Sequence, residues 1–468
     1  MSPTHKRVLL GSWILIVLPL TALGYGSDGD AWRVARVAEV MWRTGRYAPS
    51  RSLGFPFFEI GVTPLVHFGQ WYASNLFAFG AGLALLGALF RLADRGQFVH
   101  PVPVVATIAF LPVMVKNTSS TMDYVPALAV LLWSYVALVE DKPLRAALLI
   151  GLAAGFRLTS SLWVVPVLAY AYRARKDPAL LVRIFGVAFV ASVLAYSPRW
   201  IPLGLPSTGV TARAPTVVLL LQGMHQSLQL LGLLPSVALG LALLAGLRRA
   251  IAARDSWLAS PAGLFQFATI GIFVLAYWAS PVLAWEPEYL LPVVPSLIFL
   301  LDRLSGRRVF MTVLVVLLAH HVIRVEVLGG ESGARRFAPS IQAGYTVADI
   351  QWRRFILSLR RAASAYAPDR PTVLLYGLPF VPVQDERWEK VPGTRMVHLR
   401  NTRFYLSDPI LDGARLRELS NQGFRIVIWR GAKWEYMYDG PREWKRYVEI
   451  IDDFDTFFGV PLAGRPLH

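Results

Sequence analysis

Apolar residues run along this chain in long blocks, near positions 8–24, 73–93, 101–116, 124–139, 146–156, 158–172, 184–198, 217–247, 263–283, 288–303 and 307–327. Most approach the ~20 residues that carry a helix across a bilayer. They predict about eleven transmembrane helices within residues 1–327, and the pair flanking Arg157 is open to being one bent helix. The breaks are short except between Tyr25 and Tyr72. There Val34, Val37, Ala38, Met41 and Trp42 recur at helical spacing while Arg33, Arg36 and Arg43 take other faces, the pattern of a helix lying in the membrane plane. Gly45 ends it, and Pro49 to Pro56 predicts ordered coil. The Pro/Gly/Thr-rich stretch 199–216 reads as a connecting loop or a lid. Beyond Leu328 the pattern changes, with a helix expected over 349–366 and short buried strands over 372–376 and 425–429. Residues 328–468 therefore form a small mixed α/β domain beside a membrane domain of residues 1–327.

Composition agrees with a polytopic α-helical membrane protein: 55% of residues are hydrophobic and 16% charged. The net charge of +17 follows topology and not nucleic acid. Basic residues gather in alternate short breaks (Lys6/Arg7, Arg91/Arg95, Lys142/Arg145, Arg173 to Arg183, Arg248 to Arg254, Arg303 to Arg308), which places the N-terminus in the cytoplasm. Tyr25–Tyr72, the turn from Lys116 to Asp123 and the C-terminal domain then face out. The start, His5-Lys6-Arg7 followed by an apolar run, reads as an uncleaved signal anchor. With no cysteine there is no disulfide, thiolate metal site or thiol nucleophile. The chain carries no phosphate-binding Gly-rich loop, HExxH or GxSxG, which disfavours ATP-driven transport and serine hydrolysis.

Carboxylates recur on the expected outer side: Asp28, Asp30 and Glu59 in the first loop, Asp123 in the second, Glu286 and Glu288 at the last short turn. For Asp28, a helix cap and a functional carboxylate stand as equal readings; Asp30 favours function. Arg51, Lys116 and Arg157 share that side and suit a lipid phosphate. A guanidinium in an apolar stretch equally fits a structural ion pair at Arg157, and snorkelling explains Lys116 as well. Asn117-Thr118-Ser119 matches a glycosylation sequon, and His320-His321 takes a structural reading over a metal one.

Asp30-Ala31-Trp32, the helix Ala35 to Arg43, Gly45 and Pro49, together with Met122-Asp123-Tyr124, Gly151 to Thr159 and Glu288-Tyr289-Leu290-Leu291-Pro292, resemble the GT-C superfamily of membrane glycosyltransferases. That superfamily includes the protein O-mannosyltransferases and the aminoarabinose transferases that modify lipid A. The sequence departs from its pattern where Gly29 separates Asp28 from Asp30, and where Glu288 stands at a position that is commonly basic.

The resemblance implies a GT-C-like fold with in-plane helices in the first outer loop and an extracytoplasmic C-terminal domain, in an integral membrane protein of the bacterial inner membrane. It implies an inverting transfer of sugar from a polyprenyl-phosphate donor to a lipid, glycan or protein acceptor among membrane lipids. Asp30, helped by Asp28 or Asp123, would deprotonate or orient the acceptor. Arg51, Glu59, Lys116, Arg157, Glu288 and Tyr289 would bind substrate. No cofactor is required, although Asp30 and Asp123 would suit a hard divalent cation such as Mg2+. The alternative reading is a transporter or flippase of a lipid-linked or anionic substrate.

Overall fold

The computed structural model describes all residues except 52, 205–215, 281–285, 329–337, 366–371, 377–393, 399–412, 430–445, 448, 452–454, 457–458 and 462–468. It divides into two compact units. Residues 1–22 and 34–348 form the first, and residues 23–33 and 349–468 the second.

The first unit is a bundle of apolar helices. α1 (Pro3–Val17) is capped by Ser2, whose hydroxyl accepts from the His5 amide, and continues as a 3-10 turn to Ala22. α2 (Gly29–Thr44) covers the helix expected there from the sequence, and Gly45 at φ +64° follows it in the left-handed conformation that favours glycine. α3 (Pro56–Asp94) breaks at Gln70 (φ 51°, ψ −139°), so the first-loop part ends there and the span expected at 73–93 follows. α4 (Pro101–Phe110) and α5 (Pro112–Thr118) are one apolar path bent by 58°. α6 (Tyr124–Val139) is buried along almost its whole length. α7 (Pro143–Phe156) ends at Arg157, which is extended, and a 3-10 turn over Leu158–Trp163 leads into α8 (Val164–Arg175); the pair is thus two helices. α9 (Pro178–Leu203), α10 (Thr216–Leu231), α11 (Leu233–Ala252), α12 (Pro261–Ala279), α13 (Val293–Leu304) and α14 (Arg307–Ala319) complete the bundle.

Among the described residues, five helices are long and apolar enough to cross a membrane, six with the bent α4–α5 pair; α6 and α7 are shorter apolar helices. This is an integral membrane protein built of helices. Two expected spans are corrected. The run at 217–247 is two helices, because Gly232 at φ +89° interrupts it. The run at 307–327 is helical only to Ala319. Ile323, Val325 and Val327 alternate with Arg324 and Glu326, a period of two, and Ile323–Leu328 forms β1, paired antiparallel with β2 (Ala338–Ala343).

Close packing between α7 and α9 depends on glycine. A Cβ built on Gly151 would lie 2.2 Å from the Ala191 Cβ and 2.7 Å from its backbone carbon, and one on Gly155 would lie 2.5 Å from the Phe57 ring. Small residues four apart let helices approach in this way.

The second unit holds a four-stranded parallel sheet in the order β4-β3-β5-β6, formed by β3 (Thr372–Tyr376), β4 (Thr394–His398), β5 (Arg425–Trp429) and β6 (Glu449–Ile451). The expected strands and helix appear: α15 (Tyr345–Ala365) begins in the first unit and ends in the second, and α16 (Gly413–Asn421) precedes β5. Most of the 199–216 stretch lies outside the described residues.

Candidate active site

Within the first unit, three chain breaks deliver charged side chains to one place. Arg51 lies in the coil between α2 and α3, Asp123 directly precedes α6, and Arg157 leaves the end of α7 with φ −153° and ψ 118°. Asp123 is 0% exposed, and its two oxygens are divided between the guanidinium groups: Oδ1 accepts from Arg51 Nη2 and Oδ2 from Arg157 Nη1. Arg51 Nη1 also stands 3.8 Å from Glu286 Oε2.

Aromatic rings supply the walls. The Arg157 guanidinium lies 3.8 Å from the Tyr124 ring centre, 4.2 Å from Tyr289 and 5.2 Å from Phe55, while Arg51 stacks 4.0 Å over Phe55. Desolvated cation–π contacts contribute about 1–2 kcal/mol each and partly offset the cost of burying the guanidinium. Tyr124 in turn donates to Glu286 Oε2 at 2.6 Å. Arg157 Nη2 is buried with no hydrogen-bond partner among the described residues. Two guanidinium cations share one carboxylate here, leaving a buried edge that can donate to an anion.

Lys116, at the end of α5, donates to Glu288 Oε1 at 2.9 Å and lies 3.5 Å from the Tyr345 hydroxyl. The ion pair gives Glu288 a definite use at the position where a basic residue would stand in the resembling enzymes. Asn117, its neighbour, is 0% exposed and donates to the Val113 carbonyl, so the sequon is closed to modification in this fold.

Glu59, expected to bind substrate, is also 0% exposed, and its two oxygens accept four bonds from the chain. These come from the Tyr47 hydroxyl, the Ser50 amide (2.7 Å), the Ser50 hydroxyl (2.5 Å) and the Phe55 amide (2.8 Å). With its acceptor positions filled, Glu59 anchors the 47–55 coil that carries Arg51 and is a positioning group. Burial and the Glu59 carboxylate push the Tyr47 phenol well above its ordinary pKa, so it stays a donor. Gly54 at φ +71° completes the coil, since a Cβ there would sit 2.6 Å from the Tyr47 hydroxyl. Tyr196 holds the same coil by donating to the carbonyls of Leu53 and Gly54, the latter at 2.9 Å. Nothing in the local sequence around Tyr196 signals this bond.

Asp28 and Asp30 belong to the second unit. Asp28 Oδ1 accepts from the Asp30 amide at 2.9 Å, so Asp28 caps α2. Asp30 lies in the first turn with Oδ1 accepting from Arg33 Nη1 at 2.8 Å. The segment is tied to α15. Ser27 donates to Asp349 Oδ1, Asp349 pairs with buried Arg353 at 2.9 Å, Trp352 Nε1 donates to the Ser27 carbonyl at 3.1 Å, and Arg360 stacks 5.4 Å over Trp32. Trp32 Nε1 closes the loop onto the Gly26 carbonyl at 2.8 Å. Asp30 therefore stands on a braced helix start.

A divalent cation does not fit at Asp123, because both carboxylate oxygens are already bonded to guanidinium groups whose charge repels it. Among the described residues, no three His, Asp or Glu side chains gather as a metal-holding group.

An apolar groove of about 570 Å³ opens between α8 and α9, lined by Leu158, Leu162, Phe185, Phe189, Tyr196 and Trp200 among others. Leu158 is the residue after Arg157, and Tyr196 is the residue that holds the Arg51 coil.

No family model matches this chain, and no curated protein matches it in sequence. Among solved structures it is similar to ArnT from Cupriavidus metallidurans bound to undecaprenyl phosphate, at 12% identity over 85% of this chain and 86% of that one, with a TM-score of 0.49. It is also similar to the same protein in the apo state, at 16% identity over 81% and 85% of the two chains, with a TM-score of 0.48.

Proposed function

We propose that this chain is a GT-C-type glycosyltransferase that moves a sugar from a polyprenyl-phosphate donor to an acceptor hydroxyl at the outer face of the membrane, with inversion. The observation that carries the donor side is the buried Arg51–Asp123–Arg157 clamp, in which Arg157 Nη2 has no hydrogen-bond partner among the described residues; an apolar groove is lined by Leu158, the residue that follows Arg157. A phosphate with a long hydrocarbon tail matches both halves: the guanidinium edge takes the anion and the groove takes isoprene units.

In this reading the acceptor oxygen forms a bond to the anomeric carbon as the bond from that carbon to the phosphate oxygen breaks. The electron pair leaves with polyprenyl phosphate, and Arg51, Arg157 and Lys116 stabilise the added charge. In this reading Asp30, which the sequence resemblance implies as base or acceptor-orienting group, takes the acceptor proton, and Arg33 bonds its carboxylate. Asp123 holds the two arginines at the correct spacing, and Asp28 starts the helix. The chemistry requires no nucleotide and no metal.

Transfer is measured with purified protein in vesicles supplied with a panel of polyprenyl-phosphate-linked sugars and radiolabelled acceptors. Release of polyprenyl phosphate together with a new glycosidic bond supports the proposal. Movement of labelled lipid across the bilayer with no bond made favours a flippase and overturns it.

A further inference from the structure

The sequence Phe110-Leu111-Pro112 creates a local problem in the bundle. Leu111 leaves the helix with ψ 136°, Pro112 has no N–H, and the Met114 amide bonds the Leu111 carbonyl at 2.9 Å. The Phe110 carbonyl thereby loses its helical partner, and a buried carbonyl left unmet is costly. His321 Nδ1 shares a hydrogen bond with Thr346 Oγ1 at 2.6 Å, and Nε2 donates to the Phe110 carbonyl, which can only accept.

The segment around the ring also receives the start of α15. The Tyr345 amide donates to the His320 carbonyl at 2.9 Å, and the Val347 amide to the His321 carbonyl at 3.4 Å. Both ends that His321 joins lead to the Lys116 site: Phe110 closes α4, α5 follows it across the bend and carries Lys116 six residues on, and Tyr345 precedes Thr346. The Lys116 ammonium lies 2.9 Å from Glu288 Oε1 and 5.7 Å from the centre of the Tyr345 ring.

We propose that His321 is a positioning residue that sets the direction of α5 against the start of α15 and so holds Lys116 between Glu288 and Tyr345, ready for the donor phosphate. The proposal rests on the assignment of Lys116 to that phosphate. It differs from a metal or proton-transfer role for the histidine pair, since both ring nitrogens are already bonded to the chain.

The test is a double-mutant cycle read as the affinity of the full-length chain for undecaprenyl phosphate in nanodiscs, with His321→Phe, His321→Gln, Lys116→Met and the double variant His321→Phe/Lys116→Met. His321→Phe is expected to weaken binding roughly tenfold, and His321→Gln, which retains an N–H for Phe110, by less than about threefold. In the Lys116→Met background His321→Phe should add less than about twofold, because the ring acts through Lys116. A full additive loss in that background, or wild-type affinity in His321→Phe, overturns the proposal. If His321→Phe fails to accumulate, Thr346→Val, which removes only the Nδ1 partner, replaces it, with an expected loss of roughly threefold that again vanishes in the Lys116→Met background. Absence of binding by the wild-type chain overturns the donor assignment itself, and this outcome is separable because it appears before any variant is compared.

Discussion

The Asp123 carboxylate bonds Arg157 through one oxygen and leaves the other for Arg51, with all three side chains buried. Removing one partner of a buried ion pair costs about 3–5 kcal/mol, because the other charge stays buried. Asp123→Asn, whose amide cannot accept from both arginines, should therefore lower the melting temperature as well as donor affinity. A variant that melts like the wild type would show that the clamp is not a structural ion pair.

Glu59→Gln makes a separate prediction. The amide presents a donor to groups that donate in the native coil, the Ser50 and Phe55 amides and the Tyr47 hydroxyl. The coil should loosen at a cost of about 1–3 kcal/mol, and Arg51 should lose its position. Faster proteolysis between residues 45 and 55, together with weaker polyprenyl-phosphate binding, is the expected outcome.

Gly151→Val should destabilise the α7–α9 contact by at least about 1–3 kcal/mol, since the added carbons meet the Ala191 backbone and not a flexible side-chain tip. Thermal melting in detergent reads the loss, and Gly186→Ala, where a Cβ meets nothing within 4 Å, is the matched control.

At the other end of α6, Glu140 accepts from Lys142 (3.1 Å), Arg91 (2.6 Å) and Arg95 (2.9 Å), and these bonds hold its carboxyl down to a pKa of about 2. A carboxyl depressed in the folded state adds stability above its unfolded value of 4.5 and loses it as pH falls toward 2. Glu140→Gln should flatten the acid limb of the melting profile between pH 5 and pH 3 while leaving pH 7 and above parallel to the wild type.

Much of the bundle was legible because crossing a membrane demands long apolar runs, and α2 announced itself through the helical spacing of Val34, Val37, Ala38 and Met41. The strands at 372–376 and 425–429 were legible because they are short and almost wholly apolar. β4 was not, since Arg395 and His398 interrupt its pattern, and β6 has only three residues. The last apolar run misled at its end, where hydropathy counts Ile323, Val325 and Val327 alike in helix or strand and only their alternation separates the two. At the site, sequence supplied the charged residues but not their pairings. That Asp123 divides itself between Arg51 and Arg157, or that Glu59 spends its acceptors on its own coil, depends on tertiary geometry that no local pattern encodes.

The central claim is that Asp30 serves an acceptor hydroxyl in transfer from a polyprenyl-phosphate donor. Purified wild-type protein and Asp30→Asn are compared in vesicles carrying a polyprenyl-phosphate-linked sugar that the wild type accepts, with release of polyprenyl phosphate and glycoside formation followed together. The account predicts that Asp30→Asn keeps the wild-type fold and binds the donor, and forms no glycoside. Wild-type turnover by Asp30→Asn would contradict it.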